Sequence, residues 1–518
     1  MTKIKTYVRI QNKRKQVSID NYIMDKLSLR GYTLDSFLYK ELKFIDNIKS
    51  LSAKVQELSI EKLLKLPPIS AHKKPLFTFI DLFAGIGGFR LPLDKRNGKC
   101  LGYSEIQWDS MRVYAQNHTM EEQYLGDIRQ INKIASNEKI NLIVGGVPCQ
   151  SWSSAGKNKG FDDARGQLWL DTMRVVEKNQ PDCFMFENVQ GLADPRHRQS
   201  LQHILHSFEK LAYTVSYKVL SSRDFGLVQD RNRIFIVGFK DKNCHARFKW
   251  PQKITQYPSL GKVLELDYYK KQAASRSKVL SQKSQGLLFP DLNEIPTKIF
   301  NFSSHNNKFN DFFIFSDVRS GNTTLHSWDF LDISEIEEAI CLKMISLRRR
   351  LGKKLYKKDG APLHFEVIKE EVPDAQQSDI DHLVSKGVFK QFDDGRYDFV
   401  NSKQSTGVNG LYRVYSPNAI SFPTLTATGS PDMIATIPFQ GETLAEYKAH
   451  FIKEIYKKKK LRSLTERETA QLQGFPKDFV LCEQGFSNKQ MGNAVSVPVI
   501  DALFRSIYDT GCFSKPSL

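Results

Sequence analysis

The residues best suited to chemistry lie in a few short stretches, the first of which is Gly146-Val147-Pro148-Cys149-Gln150. A thiol just after a proline, at the end of the apolar run Ile140 to Val144, sits where a buried strand opens into a loop. Most free cysteines are inert, buried small hydrophobes, so the setting decides. Gly145 and Gly146 admit close backbone approach, Pro148 stiffens the chain, and Gln150 to Gly160 has the polar Gly/Ser/Lys composition of a mobile loop. In that setting Cys149 reads as a nucleophile.

A second stretch, Phe186-Glu187-Asn188-Val189, puts a carboxylate and a carboxamide at the end of an apolar strand. Desolvation there would keep Glu187 protonated, as an acid or hydrogen-bond donor; a helix cap or solvated strand end is the plainer reading. A third, Gln229-Asp230-Arg231-Asn232-Arg233, carries two arginines able to orient a base or a phosphate, or else to sit in a surface turn.

The fourth is Phe79 to Phe89, a strand running through Phe83-Ala84-Gly85-Ile86-Gly87-Gly88 into a helix. Its glycines let backbone N–H groups approach a ligand. The fuller Gly-x-Gly-x-x-Gly fingerprint is missing, so a dinucleotide fits poorly. Glu105, at the end of the next strand, is placed to accept bonds from ribose hydroxyls. Asp127, in Gly126-Asp127-Ile128, ends another expected strand where an adenine amino group could be read.

These residues need a scaffold, and the pattern supplies one between Leu76 and about Phe239. Phe77 to Phe83, Lys99 to Ser104, Leu142 to Val147, Cys183 to Glu187, Thr214 to Leu220 and Arg233 to Phe239 read as strands, with helical spacing between most of them. The expectation is a doubly wound α/β sheet of the nucleotide-cofactor kind. Residues 1–72 read as a basic helical extension stopped at Pro67-Pro68, with a strand or ribbon from Tyr7 to Ile19 and either a brace or a DNA contact as its role. Across 241–460 the alternation is lost: Ala273 to Gln285 resembles a linker, and Asp374 to Phe399 a loop or hairpin set with little helix. Helical spacing returns after Arg462, with a helix at Glu466 to Leu472 and the end of another at Phe504 to Ile507.

At 518 residues the chain is long enough for two or three domains. Seven cysteines without a Cys-x-x-Cys pair argue for reduced thiols in a cytoplasmic setting, against a disulfide framework and against a zinc site. No apolar run is long enough to span a membrane. The formal charge of +19 favours a polyanionic partner, nucleic acid foremost, over a small neutral substrate. Basic runs at Arg348 to Lys354 and Lys457 to Lys460 lie apart from the thiol and suggest a groove with separate walls.

In their order, these stretches resemble the motifs of the DNA (cytosine-5) methyltransferase family: Phe-Ala-Gly-x-Gly-Gly at 83–88, Pro148-Cys149-Gln150, Glu187-Asn188-Val189 and Gln-x-Arg-x-Arg at 229–233. Arg467-Glu468 through Gly474-Phe475-Pro476, and Gln490-Met491-Gly492-Asn493-Ala494-Val495, match its last two. The resemblance covers about Leu76 to Phe239 and Arg462 to Ile507. It implies an S-adenosylmethionine-dependent, Rossmann-like sheet with a smaller irregular target recognition domain over 241–460, closed by a return of 461–518 to the catalytic domain 76–240.

The resemblance further implies a double-stranded DNA substrate, with Cys149, Glu187, Arg231 and Arg233 as the catalytic group. Phe83, Gly85, Gly87, Glu105, Asp127, Pro148 and Asn493 would hold S-adenosylmethionine. Ser151 to Arg165 would close as a lid, with Lys157, Lys159 and Arg165 on phosphates. Arg413 and Thr424, in stretches similar to the tail of the recognition domain, would touch DNA. The family often has an aromatic residue directly after the glutamate of the second motif; here Ile106 follows and Trp108 comes later. A monomer and a cognate restriction endonuclease as functional partner are expected by analogy. An RNA methyltransferase of the same fold and a DNA-binding regulator with a degenerate catalytic body are the competing readings; the size of 241–460 speaks against the first, and intact Cys149, Glu187 and Arg233 against the second.

Overall fold

The computed structural model describes residues 3–10, 13–20, 75–118, 122–148, 167–266, 312–319, 323–356, 360–401, 408–481 and 487–513. Cys149, the stretch Ser151 to Arg165 with Lys157 and Lys159, and the linker Ala273 to Gln285 lie outside them. Two compact units are formed: one from Met1–Pro258, Pro423–Gly429 and Thr469–Leu518, the other from Ser259–Phe422 and Ser430–Glu468.

The N-terminal ribbon consists of β1 (Lys3–Ile10) and β2 (Lys13–Asp20), antiparallel, with Lys3 opposite Asp20 and Ile10 opposite Lys13. The helices expected after it fall outside the described residues.

The first unit is built on a seven-stranded sheet. Its strands are β3 (Phe77–Leu82), β4 (Gly98–Ser104), β5 (Gln123–Tyr124), β6 (Leu142–Gly146), β7 (Cys183–Val189), β8 (Thr214–Ser221) and β9 (Asn232–Phe239). The order across the sheet is β5-β4-β3-β6-β7-β9-β8. All neighbours are parallel except at β9, which runs against both β7 and β8. The six strands read from sequence are thus present; β5, two residues long, carries too little pattern to be seen there.

Alternate residues of each strand go to opposite faces, and both faces are covered, which explains the continuous apolar runs. On one face Ile80, Leu82, Ile143, Phe184, Phe186 and Ile236 pack with Trp169 and Val176 of the helix Leu168–Asn179 and with Ile204 and Phe208 of the helix Arg198–Lys210. On the other, Phe77, Phe79, Val144, Met185 and Val237 meet Leu93 of the helix Arg90–Lys95 and the helix Val497–Tyr508. The last buries Val499, Ile500, Leu503, Phe504 and Ile507. At about 1.5–3 kcal/mol for each such side chain, this contributes on the order of 10 kcal/mol, enough to bring this helix back to the first strand of the sheet. Phe504 lies 4.6 Å, centroid to centroid, from Phe77, and Arg96 forks onto Asp501 at 3.0 and 3.1 Å.

The second unit holds a five-stranded sheet in the order β11-β10-β14-β15-β16, made of β10 (Phe312–Phe315), β11 (Thr324–Leu325), β14 (Arg413–Tyr415), β15 (Met433–Ala435) and β16 (Leu461–Arg462). Between its strands run a 22-residue helix, Glu335–Tyr356, and the hairpin of β12 (Phe389–Gln391) with β13 (Tyr397–Phe399). The expectation of little helix between Asp374 and Phe399 is corrected: Gln377–Ser385 is a helix, started by a capping box between Gln376 and Asp379 and anchored by Ile380 and Leu383.

In the basic run from Arg348, the first arginine is not on the surface, while Arg349 and Arg350 are exposed. Arg348 occupies the core-facing position after Ile340, Cys341, Met344 and Ile345, where it is buried and paired with Asp398 at 2.6 Å. Arg349 donates to the carbonyl of Val318, and Arg350 pairs with Glu371. These three arginines have partners within their own unit.

Candidate active site

The parallel strands β3, β4, β6 and β7 end at one rim of the sheet, and β9, reversed, begins there. Ligand sites of open α/β sheets collect at this rim. The antiparallel register sets Val189 opposite Arg233, so the start of β9 reaches the carboxylate end of β7. The Nε of Arg233 lies 3.0 Å from Oε1 of Glu187. Burial pushes the Glu187 carboxyl above its ordinary range, while Arg233 and then Arg231 pull it down.

The approach to the thiol is fixed on the same rim. Gly146 pairs with Glu187 in the parallel ladder, and Val147 donates to the Glu187 carbonyl at 3.1 Å. Asn188 Nδ2 donates to the Val147 carbonyl at 3.2 Å. A Cβ on Gly146 would stand 3.5 Å from Oε2 of Glu187. Glu187 is therefore beside the strand end that continues through half-buried Pro148 to Cys149.

At β3 the chain turns sharply. Phe83, Gly85 and Gly87 all have positive φ, at 52°, 56° and 89°. Space is open beside Gly85, where an added Cβ would meet nothing nearer than the Phe83 carbonyl at 4.0 Å; at Gly87 it would overlap the His118 ring. Glu105 Oε2 accepts from the Gly85 N–H at 2.8 Å, and its Oε1 accepts from Ile106 and Gln107 at 2.7 Å each. Burial raises the Glu105 pKa against the pull of these three donors. Glu105 thereby braces the turn from the end of β4. Ile106, next to it, is exposed, and Trp108 opens the helix Trp108–Asn117.

Asp127 is not at a strand end. β5 stops at Tyr124, and Asp127 caps the short 3-10 turn Ile128–Gln130 by accepting from Arg129 N–H. Its carboxylate also pairs with the Arg129 guanidinium, which lowers its pKa. Asn493 ends the helix Ser487–Asn493 and is exposed; two residues on, Val495 packs against both Gly88 and Gly146, joining the turn to the strand of the thiol.

Arg231 acts on the Glu187 carboxylate through its charge. It is buried, and it donates to the carbonyls of Leu425 at 3.3 Å and Gly492 at 3.1 Å. Thr424 donates its hydroxyl to the Asp230 carbonyl. In the second unit Arg413 forks onto buried Asp432 at 2.8 and 3.0 Å, so its guanidinium already has a carboxylate partner.

Several residues here escaped the sequence reading. Asp81, on β3, is fully buried, and neither carboxylate oxygen has a hydrogen-bond partner among the described residues. Burial raises its pKa well above the ordinary value, with Arg90 opposing. Beside it Arg90 bonds Asp94, Tyr114 and Glu122, and His118 Nδ1 lies 3.4 Å from Asp94. An aspartate within an apolar strand was the available signal.

The profile of C-5 cytosine-specific DNA methylases matches residues 77–509 of this chain. The chain belongs to that family. It is a DNA (cytosine-5) methyltransferase. The methylase is 43% identical to the type II methylase M.HgiEI of Herpetosiphon aurantiacus over 85% of its own length and 98% of that protein's. It is 41% identical to M.HgiBI of the same organism, over the same shares. A type II methyltransferase of Aneurinibacillus aneurinilyticus, M.BanI, is 30% identical over 83% of this chain and 95% of its own.

The turn fits the family's methyl donor. An adenosyl group needs open backbone beside a glycine and a carboxylate near its ribose, and the methylase offers the space at Gly85 and, bonded to its N–H, the carboxylate of Glu105. Among the described residues no helix is long and apolar enough to cross a membrane.

Proposed function

We propose that this methylase modifies cytosine at C5 within one short sequence of duplex DNA, with Cys149 as nucleophile, and that it is the modification half of a restriction-modification pair. The relatives named as type II methyltransferases support the second part. The Glu187–Arg233 pair beside the strand leading to Cys149 carries the first.

Cytosine C5 is a weak nucleophile. Addition of the Cys149 thiolate to C6 makes C5 enamine-like, splitting one hard step into two easier ones. Glu187, whose neutral form burial favours, donates in that form to N3 and accepts from the exocyclic amine, so that negative charge is neutralised as the sulfur adds. Arg233 fixes the carboxyl and donates to O2. S-adenosylmethionine, when bound, supplies the methyl group; Phe83, Gly85, Gly87, Glu105, Asp127, Pro148 and Asn493 are the residues proposed to hold it. Loss of the C5 proton then expels the Cys149 thiolate, breaking the S–C6 bond and restoring the ring.

A stacked base is out of reach of these groups, so the cytosine is flipped out at a cost of a few kcal/mol. Lys157, Lys159 and Arg165 are proposed to meet phosphates as the segment that follows Cys149 closes, each adding about 0.9 to the slope of log affinity against log salt.

Bisulfite sequencing of DNA from a host expressing the methylase tests the reading. One short sequence should resist conversion at a single cytosine, and a host expressing Cys149→Ser should show none. Uniform conversion with the wild-type protein present would overturn it.

A further inference from the structure

Residues 423–429 belong to the catalytic unit, although the chain on either side of them belongs to the other. Side chains from the Gln-x-Arg-x-Arg motif hold this strap. The Leu425 N–H donates to Oε1 of Gln229 at 3.0 Å, and the Leu425 carbonyl accepts from Arg231 at 3.3 Å. Gln229 is fully buried, and its Nε2 donates to the Leu472 carbonyl at 3.0 Å and to Oε1 of Gln473 at 3.1 Å. Gln473, also fully buried, donates in turn to the carbonyls of Met491 at 2.6 Å and Ala494 at 3.2 Å. Every donor hydrogen of both amides is used. Gly492 backs so closely on Thr426 and Ala427 that a Cβ there would overlap their backbone.

Four chain segments meet on this pair of amides: the strap, the motif at 229–233, the end of the helix Glu466–Leu472, and the last turn of the helix Ser487–Asn493 with the residue after it. We infer that Gln229 and Gln473 are positioning residues, a paired-amide crosspiece that ties the strap to the aim of Arg233 on Glu187. The inference rests on the proposed role of Glu187. Most bonds of the crosspiece go to main-chain atoms, so its action does not depend on which side chains the strap carries. Arg233 is four residues beyond Gln229 along a continuous chain, and β9 starts between them. A displacement of the strap therefore reaches the ion pair through the hydrogen-bonded Gln229 side chain and the few residues that lead into β9. The strap is also where the chain passes directly into and out of the unit containing most of the middle region. DNA bound by the methylase can thus bear on the chemistry through the strap.

Gln229→Met keeps the side-chain volume and removes all three bonds. In the full-length protein, with plasmid DNA and radiolabelled S-adenosylmethionine, single-turnover methyl transfer should fall at least tenfold, with affinities for cofactor and plasmid DNA held within threefold. The high-pH limb of its rate profile should move to higher pH, because Arg233 no longer holds Glu187 down; a purely structural role would not move it. A rate within threefold of wild type with an unmoved limb overturns the inference, and so does a loss of rate matched by equal losses of cofactor binding and melting temperature. Should Gln229→Met not fold, Gln473→Met opens the same pair from the other side. Hydrogen exchange on the wild-type protein needs no variant: plasmid DNA should change protection at 423–429 and 229–233 together, and a change confined to one of them counts against the link. Wild-type protein that transfers no methyl group to plasmid DNA refutes the proposed function instead.

Discussion

Arg233 and Glu187 meet at 3.0 Å across antiparallel neighbours in the sheet, in surroundings that pull the carboxyl two ways. Burial favours its neutral form, and the arginine favours its anion. The net direction is upward, toward the neutral form that a donor to N3 requires.

Glu187→Gln keeps shape and loses the titration. Methyl transfer should drop by about 10²- to 10⁴-fold, the usual worth of such a group. In the wild type the protonated form exists below the raised pKa, so its rate should decline as pH rises through that value. The variant's profile should lack this limb. Single-turnover rates from pH 5 to 9 check it, and an identical limb in both proteins would reassign the titrating group.

Cys149→Ser should abolish methyl transfer while leaving duplex affinity within a few-fold, because the hydroxyl is far less nucleophilic than a thiolate. Filter assays with labelled S-adenosylmethionine and gel shifts measure the two separately. Turnover near the wild-type level would sink the nucleophile assignment.

Two glycines of the turn should respond differently. Gly85→Ala enters open space and costs roughly 1–3 kcal/mol for its positive φ, so the protein should fold but bind S-adenosylmethionine more weakly. Gly87→Ala adds a clash with the His118 ring and should lower the melting temperature much further. Calorimetry and thermal melts distinguish them; equal melting temperatures would show that His118 can swing away.

Asp81 should make the protein less stable as pH rises. Its folded pKa is above the unfolded value of about 3.9, so between the two the folded state keeps a proton that the unfolded state has released, and stability falls with increasing pH. Asp81→Asn removes that slope and should raise the urea midpoint at pH 8 relative to wild type, with little difference at pH 4. A gap of opposite sign would mean that attraction to Arg90 outweighs burial.

The sheet was legible because its strands are buried on both faces, and buried strands are written as apolar runs such as Cys183 to Phe186. The rim was legible because turn and motif residues there are constrained locally. What hid from sequence was nonlocal. Arg348 interrupts an otherwise regular helical stripe, and only its partner Asp398, fifty positions on, explains an arginine facing a core. Arg231 has the same charge as Arg233, yet carbonyls more than 190 positions away claim it. Asp127 could be mistaken for a strand end because β5 is only two residues long, too short to express a period.

The return of the helix Val497–Tyr508 to the first strands of the sheet sets a timetable. Arg96 and Asp501 are 405 positions apart, so a ribosome working at about 5–20 residues per second needs roughly 20–80 s after Arg96 before its partner exists. Through that interval Phe77 and Phe79 lack the helix that covers them, and a nascent chain is exposed to chaperones and to aggregation. The methylase is therefore silent until the helix Val497–Tyr508 has been made, and products of translation interrupted before it carry the motif stretches at 83–88 and 146–150 without the helix that buries their sheet.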